Sequence, residues 1–467
     1  MLRRLGAPLL LFSLGACVSA AYRQPEVSMP PAFVGSANQS DLASLDRWWL
    51  LFGDEQLAQL IDEALAKAPD ARTALAVLDE ARAARSQALT RFEPQGNASA
   101  SAGVQRTDIA NAPGGVNQSI FSGAFSPSWE LDLFGRRVAA RRAADADLDL
   151  ARFRFESARQ SLVSNVAGDL FEARANAVRL EQARETLRIA SELARLGDRR
   201  VAAGLGSRAD AASLQADEAT ALAATRALEA RLEISKRTLL VLLGRGTEPV
   251  DRLPIAAELG APPPVPAVTP ATLLVRRPDI RQAEAQLRSA AGNLKLDSLA
   301  LLPTISLLPS ASYSATGGAG AVGTSIWSLA AGFALPLLDR HRLMAEMRGQ
   351  RARTEQAVIA YENAVQAGFG EAQSNLSLYA ADRGRLSQLE LAEQRSRMAF
   401  EAQRAGYQAG IVDLTTLLQT ERTWRTNLSA LSDLRASALT DAVNVFRALG
   451  GGWPATTNID PSRKDIQ

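Results

Sequence analysis

The chain has 467 residues, with 52 Lys and Arg against 50 Asp and Glu, and only one His and one Cys. So few His and Cys residues nearly exclude His-based acid–base catalysis and Cys/His metal clusters, and they exclude an intrachain disulfide. The balanced charge gives no reason to expect nucleic acid as a partner. No catalytic triad or phosphate loop can be built around His341, so we expect no enzyme activity, cofactor or metal.

The N-terminus has the pattern of a signal peptide, residues 1–16. Arg3 and Arg4 precede an apolar run at 9–14, and small residues lead into the only cysteine, Cys17. The run is too short to span a bilayer as a helix. Leu-Gly-Ala-Cys resembles the bacterial lipobox, after which the cysteine is lipidated, and the absence of an acidic residue next implies delivery to the outer membrane. The alternative is a buried Cys in an apolar leader.

Residues 17–47 are rich in Pro, Ser and Asn, which indicates an extended arm. A helix is expected next, with Asp54 as its N-cap. Pro69 interrupts this helix, which then resumes. One face of the first part is apolar and is expected to be buried: Leu57, Leu60, Ile61, Ala64 and Leu65.

Two stretches with few charges alternate apolar and small polar residues with a period of two, which predicts a pair of strands in each. The first pair occupies 94–129, where Arg106 and Asp108 are the only charged residues. The second occupies 303–338 and contains no charged residue. Its last strand is expected to include Leu335.

Very long helical patterns follow each strand pair. The first runs from about Asp132 to Ala202, and at 1.5 Å per residue it spans roughly 100 Å, a length typical of a coiled coil. Its apolar seam is Val163, Val166, Leu170, Ala173, Ala177 and Leu180, and the seam breaks at Arg184. Returning helices are expected at about 208–243 and 413–448.

Much of the chain is an internal duplication. Ala68-Pro69-Asp70-Ala71-Arg72 is echoed by Arg277-Pro278-Asp279-Ile280-Arg281, 209 residues later, and Ala203-Gly204 is echoed by Ala409-Gly410, 206 residues later. A role assigned to one copy must therefore make sense in the other.

The duplication divides the mature chain into four further segments. We predict a first structural repeat at 48–246, a Pro-rich linker at 247–270, a second structural repeat at 271–449 and a polar C-terminal tail at 450–467.

The predicted fold is mainly α with a small β part. Four strands are too few to close a barrel, and open sheet edges are not tolerated in lipid. Two copies would give eight strands around a filled interior, and three would give twelve with room for a pore. The alternative is a soluble sandwich of small strands.

Three motifs now carry a family resemblance. They are Trp48-Trp49 with Phe52-Gly53-Asp54, the junction Trp129-Glu130-Leu131-Asp132-Leu133-Phe134-Gly135-Arg136, and the block Arg276-Arg277-Pro278-Asp279-Ile280. Together they resemble TolC-like outer-membrane efflux factors, and with the lipobox the chain is most similar to the NodT-type lipoprotein branch. The resemblance covers about residues 17–453.

This resemblance implies a homotrimer in which a long α-helical coiled-coil barrel continues into a transmembrane β-barrel of twelve strands. The protein would be the lipid-anchored exit duct of a tripartite efflux pump, as in multidrug resistance. It would pass small molecules from a periplasmic adaptor and an inner-membrane transporter to the outside. Two alternatives are a periplasmic adaptor and a lipid-anchored coiled-coil scaffold without a pore.

The resemblance also implies that the two hairpin turns, 201–209 and 407–415, contact the adaptor. The residues concerned are Gly204, Leu205, Gly206, Ser207, Gly410, Ile411 and Val412. The alternative is that the glycines only cap helices, and both roles are compatible.

A periplasmic gate is implied near the start of the last long helix, at Asp413, Gln419 and Arg422. In the family, acidic residues ring the narrow end of the tube and a nearby Arg holds them. Gln419 stands where one branch has its gate aspartate, which weakens the argument for an acidic ring. The alternative is that these are ordinary solvated side chains at a helix start.

Overall fold

The computed structural model describes residue 25 and residues 28–33, 45–108, 115–266, 268–317 and 322–453. Cys17 and the predicted signal peptide lie outside the described residues. The chain divides into two compact units. One contains Gln95–Ala140 and Ala290–Val358, and the other contains the described residues of Val27–Pro94, Arg141–Ser289 and Ile359–Gln467.

The first unit contains one antiparallel sheet. Its strands, in spatial order, are β1 (Gln95–Thr107), β2 (Val116–Leu131), β3 (Thr304–Gly317) and β4 (Val322–Ala334). Both predicted strand pairs are thus confirmed, and β2 and β3 join them into a single sheet. The period of two puts alternate side chains on opposite faces.

Two predicted boundaries are wrong. Pairing of β4 ends at Ala334 rather than including Leu335, next to Pro336, which has no N–H to donate. The long helix expected from about Asp132 begins at Arg136 instead, because Asp132 caps it. The Asp132 carboxylate accepts hydrogen bonds from the backbone N–H groups of Arg136 (2.7 Å) and Arg137 (3.0 Å).

Helices make up most of the described chain. They are α1 (Glu55–Lys67), α2 (Pro69–Thr90), α3 (Arg136–Ala202), α4 (Arg208–Leu242), α5 (Pro270–Arg276), α6 (Pro278–Leu299), α7 (Arg340–Gln408) and α8 (Leu414–Ala448). Among the described residues, none of these helices pairs sufficient length with sufficient hydropathy to cross a membrane.

The start of α1 is fixed as predicted. The Asp54 carboxylate accepts from the backbone N–H of Leu57 at 3.0 Å, and Arg174 of α3 also binds it. Burial alone would raise the pKa of Asp54, but the bonds from Arg174 and Leu57 lower it.

The predicted seam of α3 is buried at all six positions, from Val163 to Leu180. Arg184, where the seam breaks, is exposed and donates to Glu229 of α4 at 3.1 Å. In the second copy, Ala372 and Tyr379 of α7 are buried in the same way. The heptad spacing therefore predicts the packed stripe correctly.

The duplication also appears where each returning helix ends. Gly244 after α4 and Gly450 after α8 both have a left-handed backbone, with φ of +77° and +75°. A Cβ at Gly244 would lie 3.2 Å from Pro69, and one at Gly450 would lie 2.8 Å from the backbone of Arg276. Each copy thus seats its helix end against its own Pro-containing helix junction.

Candidate functional site

The two hairpin turns close with the same backbone motif. After α3, the N–H of Leu205 donates to the Arg200 carbonyl at 2.8 Å, and Gly204 has φ of +70°. After α7, the N–H of Ile411 donates to the Gly406 carbonyl at 2.9 Å, and Gly410 has φ of +75°. These are Schellman caps, so both glycines have a capping role.

The returning helices begin with side-chain caps. Ser207 accepts from the N–H of Ala209 at 3.0 Å. Asp413 accepts from the N–H of Thr416 at 2.9 Å and from its hydroxyl at 2.7 Å. Those bonds lower the pKa of Asp413, which favours the carboxylate at the start of α8.

The two turns are tied to each other by Arg200 and Tyr407. The Arg200 guanidinium lies 5.0 Å from the centre of the Tyr407 ring and donates to the Tyr407 carbonyl at 3.3 Å. Behind them is an apolar cluster in which Phe400 stacks on Trp424, with ring centres 5.0 Å apart. The two hairpin ends are thus one packed structure within the chain.

The outer surface of this structure combines a polar pocket with two apolar projections. The pocket has a volume of about 410 Å³, and Arg200, Asp210 and Asp413 contribute its charged side chains. Leu205, which lines this pocket, is 72% exposed, and Ile411 of the other turn is 83% exposed. Exposed apolar side chains around a polar recess are typical of a protein interaction surface.

The three predicted gate residues do not meet within one chain. Gln419 and Arg422 are both exposed on α8, one turn apart. No ion pair joins Arg422 to Asp413 in the described part of the chain, and Asp413 is engaged with Thr416. Gln419 and Arg422 therefore present their polar groups outward from α8.

A buried charged residue that was not predicted from the sequence, Glu421, lies between Gln419 and Arg422. Glu421 is 3% exposed and pairs with Arg425, one turn further along α8. Burial raises the pKa of Glu421, the charge of Asp217 adds to this, and Arg425 and Arg404 oppose it. The spacing of Glu421 and Arg425 by four residues was the available signal.

The site holds donors and acceptors but no cluster of metal ligands. Across the described ranges, no three His, Cys, Asp or Glu side chains come together in a way that could hold a metal ion. The exposed apolar side chains beside the polar pocket suit docking of another protein.

Other proteins are similar to this chain along nearly its whole length. The pyoverdine export outer membrane protein OpmQ of Pseudomonas aeruginosa is 31% identical over 431 residues, 90% of each chain. The probable outer membrane lipoprotein SilC of Salmonella typhimurium is 29% identical over 461 residues, 95% of this chain and 97% of SilC.

Solved structures of outer-membrane channels are also similar to this chain. The outer-membrane channel OprN superposes with a TM-score of 0.80 at 27% identity, covering 92% of this chain and 98% of its own. The open state of the MtrE channel of Neisseria gonorrhoeae has the same fold, with a TM-score of 0.80 at 24% identity, covering 93% and 98%.

The family model described as outer membrane efflux protein matches residues 60–245 and 269–451, one match for each copy of the duplication. The two matches span well over half of the chain. The chain therefore belongs to the outer membrane efflux protein family.

Proposed function

We propose that this protein is the outer-membrane exit duct of a tripartite efflux pump. One observation carries the proposal: a single chain holds both a nearly uncharged antiparallel sheet and two helices of 67 and 69 residues. The sheet suits a bilayer, and the helices are long enough, at roughly 100 Å, to cross a wide aqueous compartment. The family and the names of the relatives support the same role, which involves no catalysis.

The proposed assembly is a homotrimer. Within the described residues, β1 and β4 each pair on one side only, so the sheet has two open edges. Open edges are not tolerated in lipid, and edge pairing between three copies would close a barrel of twelve strands. The helices of the three chains would then form a coiled-coil barrel in the periplasm.

The hairpin ends are the proposed contact with the periplasmic adaptor, which links the duct to an inner-membrane transporter. The exposed Leu205 and Ile411 and the polar pocket between the turns support this role.

Asp413, Gln419 and Arg422 are the proposed gate. Exposure of Gln419 and Arg422 on α8 is compatible with contacts between neighbouring chains at a closed end.

We further propose that Cys17 anchors the chain to the outer membrane through a lipid. The leader sequence supports this, as does the similarity to SilC, which is named a probable outer membrane lipoprotein. OpmQ is named for pyoverdine export. For this chain we propose small molecules in general as cargo, because selection would rest mainly with the adaptor and transporter.

Fractionation and conductance test the proposal together. The full-length protein is expected in the outer membrane as an SDS-resistant trimer that dissociates on heating, and the purified trimer is expected to open pores in planar bilayers. A monomer in the periplasmic fraction, or a purified trimer that opens no pores in planar bilayers, would overturn the proposal.

A further inference from the structure

The two faces of the sheet differ sharply in chemistry. One row in register across all four strands is Ala98, Phe125, Ala311 and Trp327, and we call the side carrying it the apolar face. Phe125 is 53% exposed and Trp327 is 84% exposed. Such large aromatic side chains on an open surface suit contact with lipid chains.

The opposite side carries most of the hydroxyl groups of the sheet, together with a few apolar side chains such as Leu308 and Ile326. Ser101, Ser122 and Ser314 lie in register on β1, β2 and β3, and Ser310, Ser312 and Ser328 lie on the same side; we call this the serine face. Two cross-strand hydroxyl pairs are hydrogen-bonded, Ser101 to Ser122 at 2.8 Å and Ser310 to Ser328 at 2.7 Å. Each hydroxyl still has capacity for further hydrogen bonds.

Net charge is absent from the serine face. The four strands contain two charged residues, Arg106 and Glu130. Arg106 lies on the apolar face, by the alternation along β1, and pairs with Asp108 at 3.3 Å. Glu130 is on the serine side but is neutralised by Arg136 at 3.0 Å, near the end of β2.

We infer that the serine face is the wall of the exit passage and that this wall does not select cargo by the sign of its charge. The inference rests on the proposed function and specifies its cargo: cationic, anionic and neutral small molecules pass this wall alike. Rings of charged side chains make a pore selective for counter-ions, and in the described strands the one charged residue of this wall, Glu130, is paired with Arg136. Hydroxyls both donate and accept, so they accommodate the polar groups of either kind of ion.

Single-cysteine labelling tests the inference directly, because Cys17 is the only natural cysteine and the parent protein serves as the blank. Ser312→Cys, with Ser122→Cys as a second variant, is prepared as the SDS-resistant trimer in lipid vesicles. Each is treated with a cationic trimethylammonium-ethyl and an anionic sulfonato-ethyl methanethiosulfonate. The ratio of the two rates is expected to lie within about threefold of the ratio for a free small thiol. A ratio shifted about tenfold or more in either direction would overturn the inference.

Two matched variants separate this inference from the proposed function. Ala311→Cys, the neighbour of Ser312 on the apolar face, is expected to be unreactive toward both charged reagents. Equal labelling of residues 311 and 312 would refute the barrel itself. Adding Ser314→Asp to Ser312→Cys is expected to favour the cationic reagent at least threefold. An unchanged ratio would show that the serine face does not enclose a common passage.

Discussion

Asp382 of α7 and Asp441 of α8 bring two carboxyl groups together between the helices of the second hairpin. Asp382 is buried and accepts from Arg385 at 2.9 Å. Burial, a hydrogen bond with Asp382 and the charge of Asp382 raise the pKa of Asp441 to about 6. The folded chain therefore holds a proton here that the unfolded chain, with an ordinary Asp, releases near pH 4.

This pair makes stability depend on pH in a defined direction. Because the folded-state pKa is raised, its stabilising effect is complete below about pH 4 and is lost as the pH rises through about 6. We predict that the wild-type melting temperature falls by roughly 2 °C more than that of Asp441→Asn between pH 4.5 and 7.5. Thermal scans by circular dichroism measure this difference. Asp147→Asn, an exposed site on α3, should follow the wild type, and identical curves for wild type and Asp441→Asn would contradict the prediction.

Arg422 is a single-residue test of the proposed gate. Its guanidinium is exposed and its backbone carbonyl accepts from Thr426 at 2.9 Å, so removing the side chain leaves α8 intact. If Arg422 holds neighbouring chains together at a closed end, Arg422→Ala should raise single-channel conductance severalfold in planar bilayers. Arg395→Ala, an exposed arginine on α7, is the control and should leave conductance unchanged. Equal conductance for all three proteins would count against a role for Arg422.

At the scale of elements, the hairpin ends depend on the apolar cluster behind the turns. Phe400 of α7 is almost fully buried and stacks on Trp424 of α8, whose indole N–H donates to Glu393 at 3.1 Å. Phe400→Ala should lower the free energy of local opening by about 3–5 kcal/mol. Hydrogen exchange of peptides covering 400–424 should accelerate strongly. Met398→Ala, half-exposed on the same helix, should change exchange little, and similar behaviour of both variants would refute this role.

Local patterns predict these elements well. The two-residue period located all four strands, the heptad spacing located the seam of α3, and the Asp54 cap fixed the start of α1. Contacts between elements could not be predicted from the sequence. Which carboxyl group faces Asp382, or whether Glu421 faces inward, depends on how α7 and α8 pack. From the sequence alone, a charged side chain is predicted to be exposed to solvent, because charged residues are seldom buried.

The candidate site was predicted unevenly for the same reason. The turn positions and their glycines followed from the duplication and from breaks in the helical pattern. The link between Arg200 and Tyr407 joins turns separated by about half the chain, and no local pattern encodes it. The gate remains a proposal, because its function depends on contacts between chains.

At the scale of the whole chain, the adjacent Arg276 and Arg277, at the junction of α5 and α6, join distant segments. Arg276 binds Asp46 and donates to the Trp453 carbonyl at 2.9 Å. Arg277 donates to the Ala448 carbonyl at the end of α8 (2.9 Å), to Asp279 (2.7 Å) and to Glu371 of α7 (2.6 Å). One of the three motifs that carry the family resemblance thus joins the N-terminal segment, α7 and the end of α8.

Arg277 gives the sharpest test of these links between distant segments. Its guanidinium is largely buried, and its partners Asp279 and Glu371 keep its pKa above the ordinary value despite burial. Arg277→Ala removes five hydrogen bonds to four partners and should cost about 3–5 kcal/mol in stability, seen as a lower midpoint of unfolding in guanidinium chloride and a lower dissociation temperature of the trimer. Arg277→Lys should recover less than half of the loss, because an ammonium group lacks the planar fork that reaches several acceptors at once. Arg72→Ala, an exposed arginine in the first copy, should have little effect, and full recovery by lysine would show that charge alone matters at position 277.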